Sequence, residues 1–167
     1  MELSKIKFRN VYRVECRDKN GKLRWMEEIP NQTMTAGIND LLNKYFAGAA
    51  YTAAFYVGLV DGASSPTFAA TDTMAAHAGW NENTGYSGGT RSVLTPGAAA
   101  GGSINNSGSV ASFTINANGT LAGAFVTTGN VSGGTAGTLF GAAAFSGGSR
   151  AVQNGDTVSV TITISAS

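Results

Sequence analysis

The chain of 167 residues holds one cysteine, Cys16, and one histidine, His77. A lone cysteine closes no disulfide within the chain, which fits synthesis in a reducing cytoplasm. One cysteine and one histidine also fall short of the ligand set of a structural zinc site. Charged residues make up 13% of the chain, about half the ~25% usual in soluble domains. The net charge of +1 lacks the basic surplus of a nucleic-acid-binding protein. No run approaches the ~18 continuous apolar residues of a membrane-spanning helix. Met1 is followed by Glu2, Lys5, Lys7 and Arg9 rather than an apolar stretch, so no secretory leader is expected. These absences predict one soluble domain with neither nucleic acid nor membrane as partner.

Catalytic motifs are missing as well. Cys16 and His77 are the only residues for a nucleophile and base pair, but Cys16 falls at a core-facing position of a strand pattern, where a free cysteine acts as a small buried hydrophobe. No G-x-S-x-G turn is present to build a hydrolytic triad on His77. The glycine pairs, Gly88-Gly89 among them, do not open a helix with Lys-Ser or Lys-Thr and so are not phosphate cradles. Asp61, Asp72 and Glu82 lie close enough in sequence to raise acid and base catalysis on a glycan. Each has a plainer role: Asp61 in a turn with Gly62, Asp72 as a cap, Glu82 in a loop. Asp18-Lys19-Asn20-Gly21 has its glycine two positions too early for a calcium loop, and no Glu closes the twelfth position. The sequence thus predicts no enzyme activity, no cofactor and no metal.

What is present is a division. Fifteen of the 21 charged residues lie in positions 1–44, nine basic and six acidic, whereas 17 of the 23 glycines lie from Gly85 onward. In the front segment Phe8, Tyr12, Val14 and Cys16 share one parity, and Arg9, Arg13, Glu15 and Arg17 the other. That is the period of a half-buried strand. Asn20-Gly21 supplies a tight turn, after which Leu23, Trp25 and Ile29 resume the alternation until Pro30, predicted to end the strand. Residues 1–34 therefore read as a charged N-terminal hairpin or arm, and 35–167 as a glycine-rich body in the same domain.

From Thr35 the period changes. Ile38, Leu41, Leu42, Tyr45 and Phe46 form the stripe of an amphipathic helix near 36–47, with Thr35 as N-cap and Gly48 as stop. Ala53 to Val60 is apolar on both parities, a strand buried on both faces. Thr71-Asp72-Thr73 before Met74 to His77 reads as a capped helical turn. Further strands are expected at Thr90–Leu94, Val110–Ile115, Leu121–Thr127, Thr138–Phe145 and Thr157–Ile164, with loops at 97–103 and 128–137. The last strand alternates Val158, Val160, Ile162 and Ile164 with hydroxyls, one face buried and one wet. Many short strands, glycine-rich turns and one helix predict a mainly β fold: an antiparallel β-sandwich, jelly-roll or Ig-like, with one short amphipathic helix and the N-terminal hairpin. The candidate interface residues are Arg9, Arg13 and Trp25 on the hairpin, with Trp80 and Tyr86 in polar, Asn- and Gly-rich surroundings.

The segments Phe8-Arg9-Asn10-Val11-Tyr12, Gly37-Ile38-Asn39-Asp40-Leu41-Leu42, Ala53-Ala54-Phe55-Tyr56-Val57-Gly58-Leu59 and Thr71 to Trp80, followed by Thr120 to Phe125 and Gly155 to Val158, resemble a family of small tailed-phage virion proteins. The look of these segments is similar to that of head decoration, or cement, proteins of short-tailed phages. The resemblance implies a small β-sandwich or jelly-roll that binds the outside of the assembled capsid and reinforces it. Its partners would be the major capsid protein and further copies of itself, as a dimer or trimer. It would be made in the host cytoplasm and end on the virion surface. A tail, collar or fibre component with a receptor- or glycan-binding role is the alternative that the resemblance allows.

Overall fold

The computed structural model describes residues 6–51 and 54–166. It is mainly β, with eleven strands and one helix: β1 (Phe8–Arg17), β2 (Leu23–Thr33), α1 (Thr35–Phe46), β3 (Phe55–Asp61), β4 (Glu82–Asn83), β5 (Ser92–Leu94), β6 (Ser103–Asn105), β7 (Ala111–Thr114), β8 (Gly119–Thr127), β9 (Leu139–Ala144), β10 (Arg150–Val152) and β11 (Thr157–Ala166). All strands join one antiparallel sheet, whose main path runs β4-β3-β8-β9-β2-β1-β11-β6; β10 pairs with β8, β5 with β3 and β7 with β11. The sequence pattern anticipated the mainly β, antiparallel class, the hairpin and the helix. Residues Glu2, Lys5 and Ala53, which it assigned to the charged front and to β3, lie outside the described residues.

The hairpin closes as its chemistry predicts. Gly21 takes a φ of 81°, and the Asp18 carboxylate accepts from the Asn20 and Lys22 amides at 2.9 and 3.0 Å. Two expectations fail here. The second strand does not stop at Pro30 but runs to Thr33. Pro30 faces Val11 of β1, while the opposite edge of β2 bonds to β9 only at Gln32 and Thr33, so the missing N–H falls beside a free edge. Nor is the hairpin an arm. β1 is paired along its whole length with β11 on one side and from Asn10 onward with β2 on the other, which sets it inside the sheet.

One core cluster takes side chains from both halves of the path: Tyr12, Val14, Ile29, Val158 and Ile162 from one, Val57, Leu59, Leu121, Val126 and Phe140 from the other. A second cluster, with Val60, Phe125, Leu139, Met74 and Trp80, lies on the other face of β3, β8 and β9. This explains why β3 and β8 are apolar on both parities: each has packing on both faces. The segment carrying Met74 and Trp80 is not a helical turn. Thr73 and Ala76 form an isolated bridge, each amide donating to the other's carbonyl, and the Thr73 hydroxyl accepts from the Ala76 amide at 3.1 Å. The strands the sequence did not reveal, β4, β6 and β10, are two or three residues long, too short for a periodic signal.

Gly58 of β3 marks where the second cluster is tightest. A Cβ there would sit 2.2 Å from the Phe125 ring, and Phe125 is fully buried. Gly58→Ala is expected to lower stability by about 2–3 kcal/mol through overpacking, measured as a shift in the urea midpoint at unchanged slope.

Candidate functional site

One end of the molecule is left open. Between the two halves of the sheet, beneath α1, lies a cavity of about 370 Å³. Ile162 and Ile164 of β11 and Ile104 of β6 line one wall, Phe55, Val126 and Phe140 of β3, β8 and β9 the other, and Leu41, Tyr45 and Tyr51 the mouth. Its charged lining residues are Asp40 and Lys44, one helical turn apart, with the ammonium donating to the carboxylate at 2.8 Å.

The helix explains the opening. Gly37 is its one buried residue, and a Cβ there would come within 2.7 Å of the Phe140 backbone, so the first turns of α1 rest against β9. The last turns overhang the mouth and leave Tyr45 81%, Phe46 72% and, beyond the helix, Tyr51 77% exposed. Exposed aromatic rings grouped at one end of a molecule often mark a binding surface. The sequence reading took Tyr45 and Phe46 as part of a core-facing stripe. The spacing of these positions fits one buried face, but the helix seats only its first turns on β9 and both rings stay in solvent.

The five residues proposed as interface candidates divide. Arg9 and Arg13 point outward from β1 and line a shallow groove with Val11, Glu28, Thr161, Thr163 and Ser165. Arg13 is tied to Glu15 on the same face at 2.9 Å, and that guanidinium, with Arg17 beside it, holds the Glu15 carboxyl below its usual range. Trp25 is half-buried, donates its indole N–H to the Ala151 carbonyl at 2.9 Å and stands edge-on to Phe145. The expectations for Trp80 and Tyr86 need correction. They are 2% and 3% exposed, so both rings serve the interior. Trp80 stacks on His77 at 4.0 Å, packs against Phe125 and donates to Asp72 at 3.1 Å. Tyr86 meets Phe113 edge-on and its hydroxyl donates to Glu82 at 3.3 Å.

The chemistry-bearing groups are likewise engaged. Asp61 accepts from the Ala63 amide and the Asn83 side chain. Glu82 takes Arg91 in a two-bond fork, at 2.9 and 2.6 Å, and also accepts from the Gly133 amide at 2.8 Å. Arg91, wholly buried at its side chain, donates onward to the Gly129 and Gly134 carbonyls at 2.8 Å each, so the glycine-rich loop 128–137 is clamped rather than loose. Cys16 lies against the Asp156 carboxylate at 3.6 Å; burial, then that charge, pushes its thiol up to about 12. Among the described residues, no group of three or more His, Cys, Asp or Glu side chains is placed to hold a metal ion. No helix among them is long and apolar enough to cross a membrane.

Neither a protein-family model nor a curated protein sequence matches the chain.

Two outcomes test this account. Arg91→Ala strands the buried Glu82 charge and frees two loop carbonyls, and is expected to cost about 3–5 kcal/mol, read from chemical denaturation; Arg150→Ala, whose guanidinium is partly exposed, should cost less. The second concerns alkali. The Cys16 thiol rises from 9.0 to about 12 and the Tyr86 phenol, through burial, from 10.0 to about 12. Raised folded-state values give stability that is complete below pH 9 and falls as pH climbs toward 12, by up to about 1.4 kcal/mol per pH unit for each group. Melting temperatures at about pH 8 and about pH 11 should show this fall, with Cys16 unreactive toward a thiol reagent until unfolding.

Proposed function

We propose that this chain is a structural protein of a tailed-phage virion, a decoration protein that binds and reinforces the outer surface of the assembled head. The observation that carries the reading is the outer face of β1 and β11. The two strands pair over ten residues and turn outward a broad face of Arg9, Arg13, Thr161, Thr163 and Ser165, over which the described residues place no further layer. A wide face that mixes hydroxyls with arginines and glutamates suits extended polar protein contact. The sequence likeness to decoration proteins points the same way. The stacking rings that a glycan-binding tail part would need, Trp80 and Tyr86, are buried within the chain.

The physics of the role is mass action. A protein that binds only where neighbouring capsid subunits meet adds its binding free energy to the closed lattice alone and so opposes the outward pressure of packaged DNA. Many copies make modest interfaces act together.

Quantitative mass spectrometry of purified particles, with this chain counted against the major capsid protein, is expected to return a near-stoichiometric ratio. A ratio of a few per cent would place the chain at the tail instead. The joint change Arg9→Glu and Arg13→Glu should weaken binding to expanded heads by about tenfold or more, while the exposed Arg13 and Glu15 pair contributes too little for the melting temperature to move.

A further inference from the structure

We infer that the α1 end is the contact surface for a second copy of this chain, paired across a two-fold axis so that the aromatic collar of each copy enters the cavity of the other. The inference does not rest on the capsid reading. It starts from area. Tyr45, Phe46 and Tyr51 are each more than seventy per cent exposed, which at 150–250 Å² per aromatic side chain leaves roughly 400–500 Å² of ring surface in water. Leu42, nearly half exposed, adds to it. That is the size of the apolar centre of one side of a stable interface, where each partner buries about 800 Å² in all.

Shape says what covers it. A cavity of about 150 Å³ accepts a benzene ring; the cavity here is more than twice that, about 370 Å³. Knob and hole therefore stand side by side on one surface, the condition for an isologous contact in which a patch meets its own copy. A small apolar ligand would fill the hole but leave Phe46, which is not among the lining residues, in solvent. A second copy covers both.

Charge selects the same partner. The charged residues at the mouth are one aspartate and one lysine, Asp40 and Lys44, on successive turns of α1. The surface is thus neutral and does not repel itself. Two α1 helices crossing antiparallel bring Lys44 of each copy toward Asp40 of the other, so the same pair that closes within a helix also reads as complementary between helices. A partner of different sequence recruited by charge would call for a net sign that this end does not have.

Sedimentation equilibrium over a concentration series of the purified chain is the test. The expected result is a dimer whose dissociation constant rises by about tenfold or more in Tyr45→Ser with Phe46→Ser; both side chains are exposed, so the circular dichroism spectrum should stay that of the parent. Asp40→Lys, which makes both mouths positive, should also give monomer, and adding Lys44→Asp to it should restore the dimer. A parent chain that is monomeric throughout, a trimer, or a dimer indifferent to both sets of changes would overturn the proposal. So would a monomer that carries a bound apolar compound in the cavity, or one that gains a partner only when capsid protein is added.

Discussion

The hydrogen bonds of β2 are the constraint on which the rest of the molecule depends. Leu23 to Asn31 pair with β1, whereas Gln32 and Thr33 pair with β9, so one strand belongs to both halves of the sheet and fixes their apolar faces against a common core. Because side chains alternate with period two, a slip of one residue at this strand would turn every inward residue outward. The register is pinned from both ends. The turn at Asp18 to Lys22 holds one, and Met34, whose amide donates to the Phe140 carbonyl at 2.9 Å, leads the other directly into α1.

The few charges of the glycine-rich body reinforce the same strand. Of the six charged residues after position 44, Arg150 reaches the buried Glu27 of β2, Asp156 meets Arg24 of β2 at 3.1 Å, and Glu82 holds Arg91. Arg24 is the extra residue of a β-bulge: Cys16 faces Trp25 and Arg17 faces Leu23, leaving it between them. A bulge re-aims the side chain that it adds, here toward Asp156 and Gln153. The charged front and the neutral body, which look like two regimes in the sequence, are thus strapped together by ion pairs that cross between them. The partners in each pair, Glu27 with Arg150 and Arg24 with Asp156, lie 123 residues or more apart along the chain, so no local pattern could announce the pairing.

That distance separates what was legible from what was not. Tyr12, Val14 and Cys16 are buried in the alternation their spacing predicts, and Val158, Val160 and Ile162 follow them, because a half-buried strand writes its environment into every second residue. Trp80 misled for the opposite reason. Its local surroundings are polar, but Phe68, Phe125 and His77 come to it from other segments or across a tight turn, and tertiary packing outweighs neighbours in sequence. Pro30 was read as a terminator by a rule that holds for strands paired on both edges, and β2 is paired on one edge there. The outward face of Arg9 and Arg13 was legible from parity alone; the open cavity was not, since it needs both halves of the sheet to be seen at once.

The α1 end then stands out as the place where the fold stops satisfying its own sequence. A twelve-residue helix is marginal by itself in water, so α1 must draw its stability from packing, yet only its first turns lie against β9. The outer face of β3, β8 and β9 shows the contrast: a tight turn lays Met74 and Trp80 over it, and Arg91 pins the loop beside them. The same chain that covers that face with Met34, Met74, Trp80 and Phe68 leaves three aromatic rings uncovered beside a recess. Exposed rings at this density cost solubility and stability unless they meet a surface, and the recess at their side has the matching chemistry. The economy of charge makes the same point, since the Asp40 and Lys44 pair is neutral as a unit and would be reciprocal across a two-fold axis. The α1 end is therefore a surface that a second copy of the chain would complete.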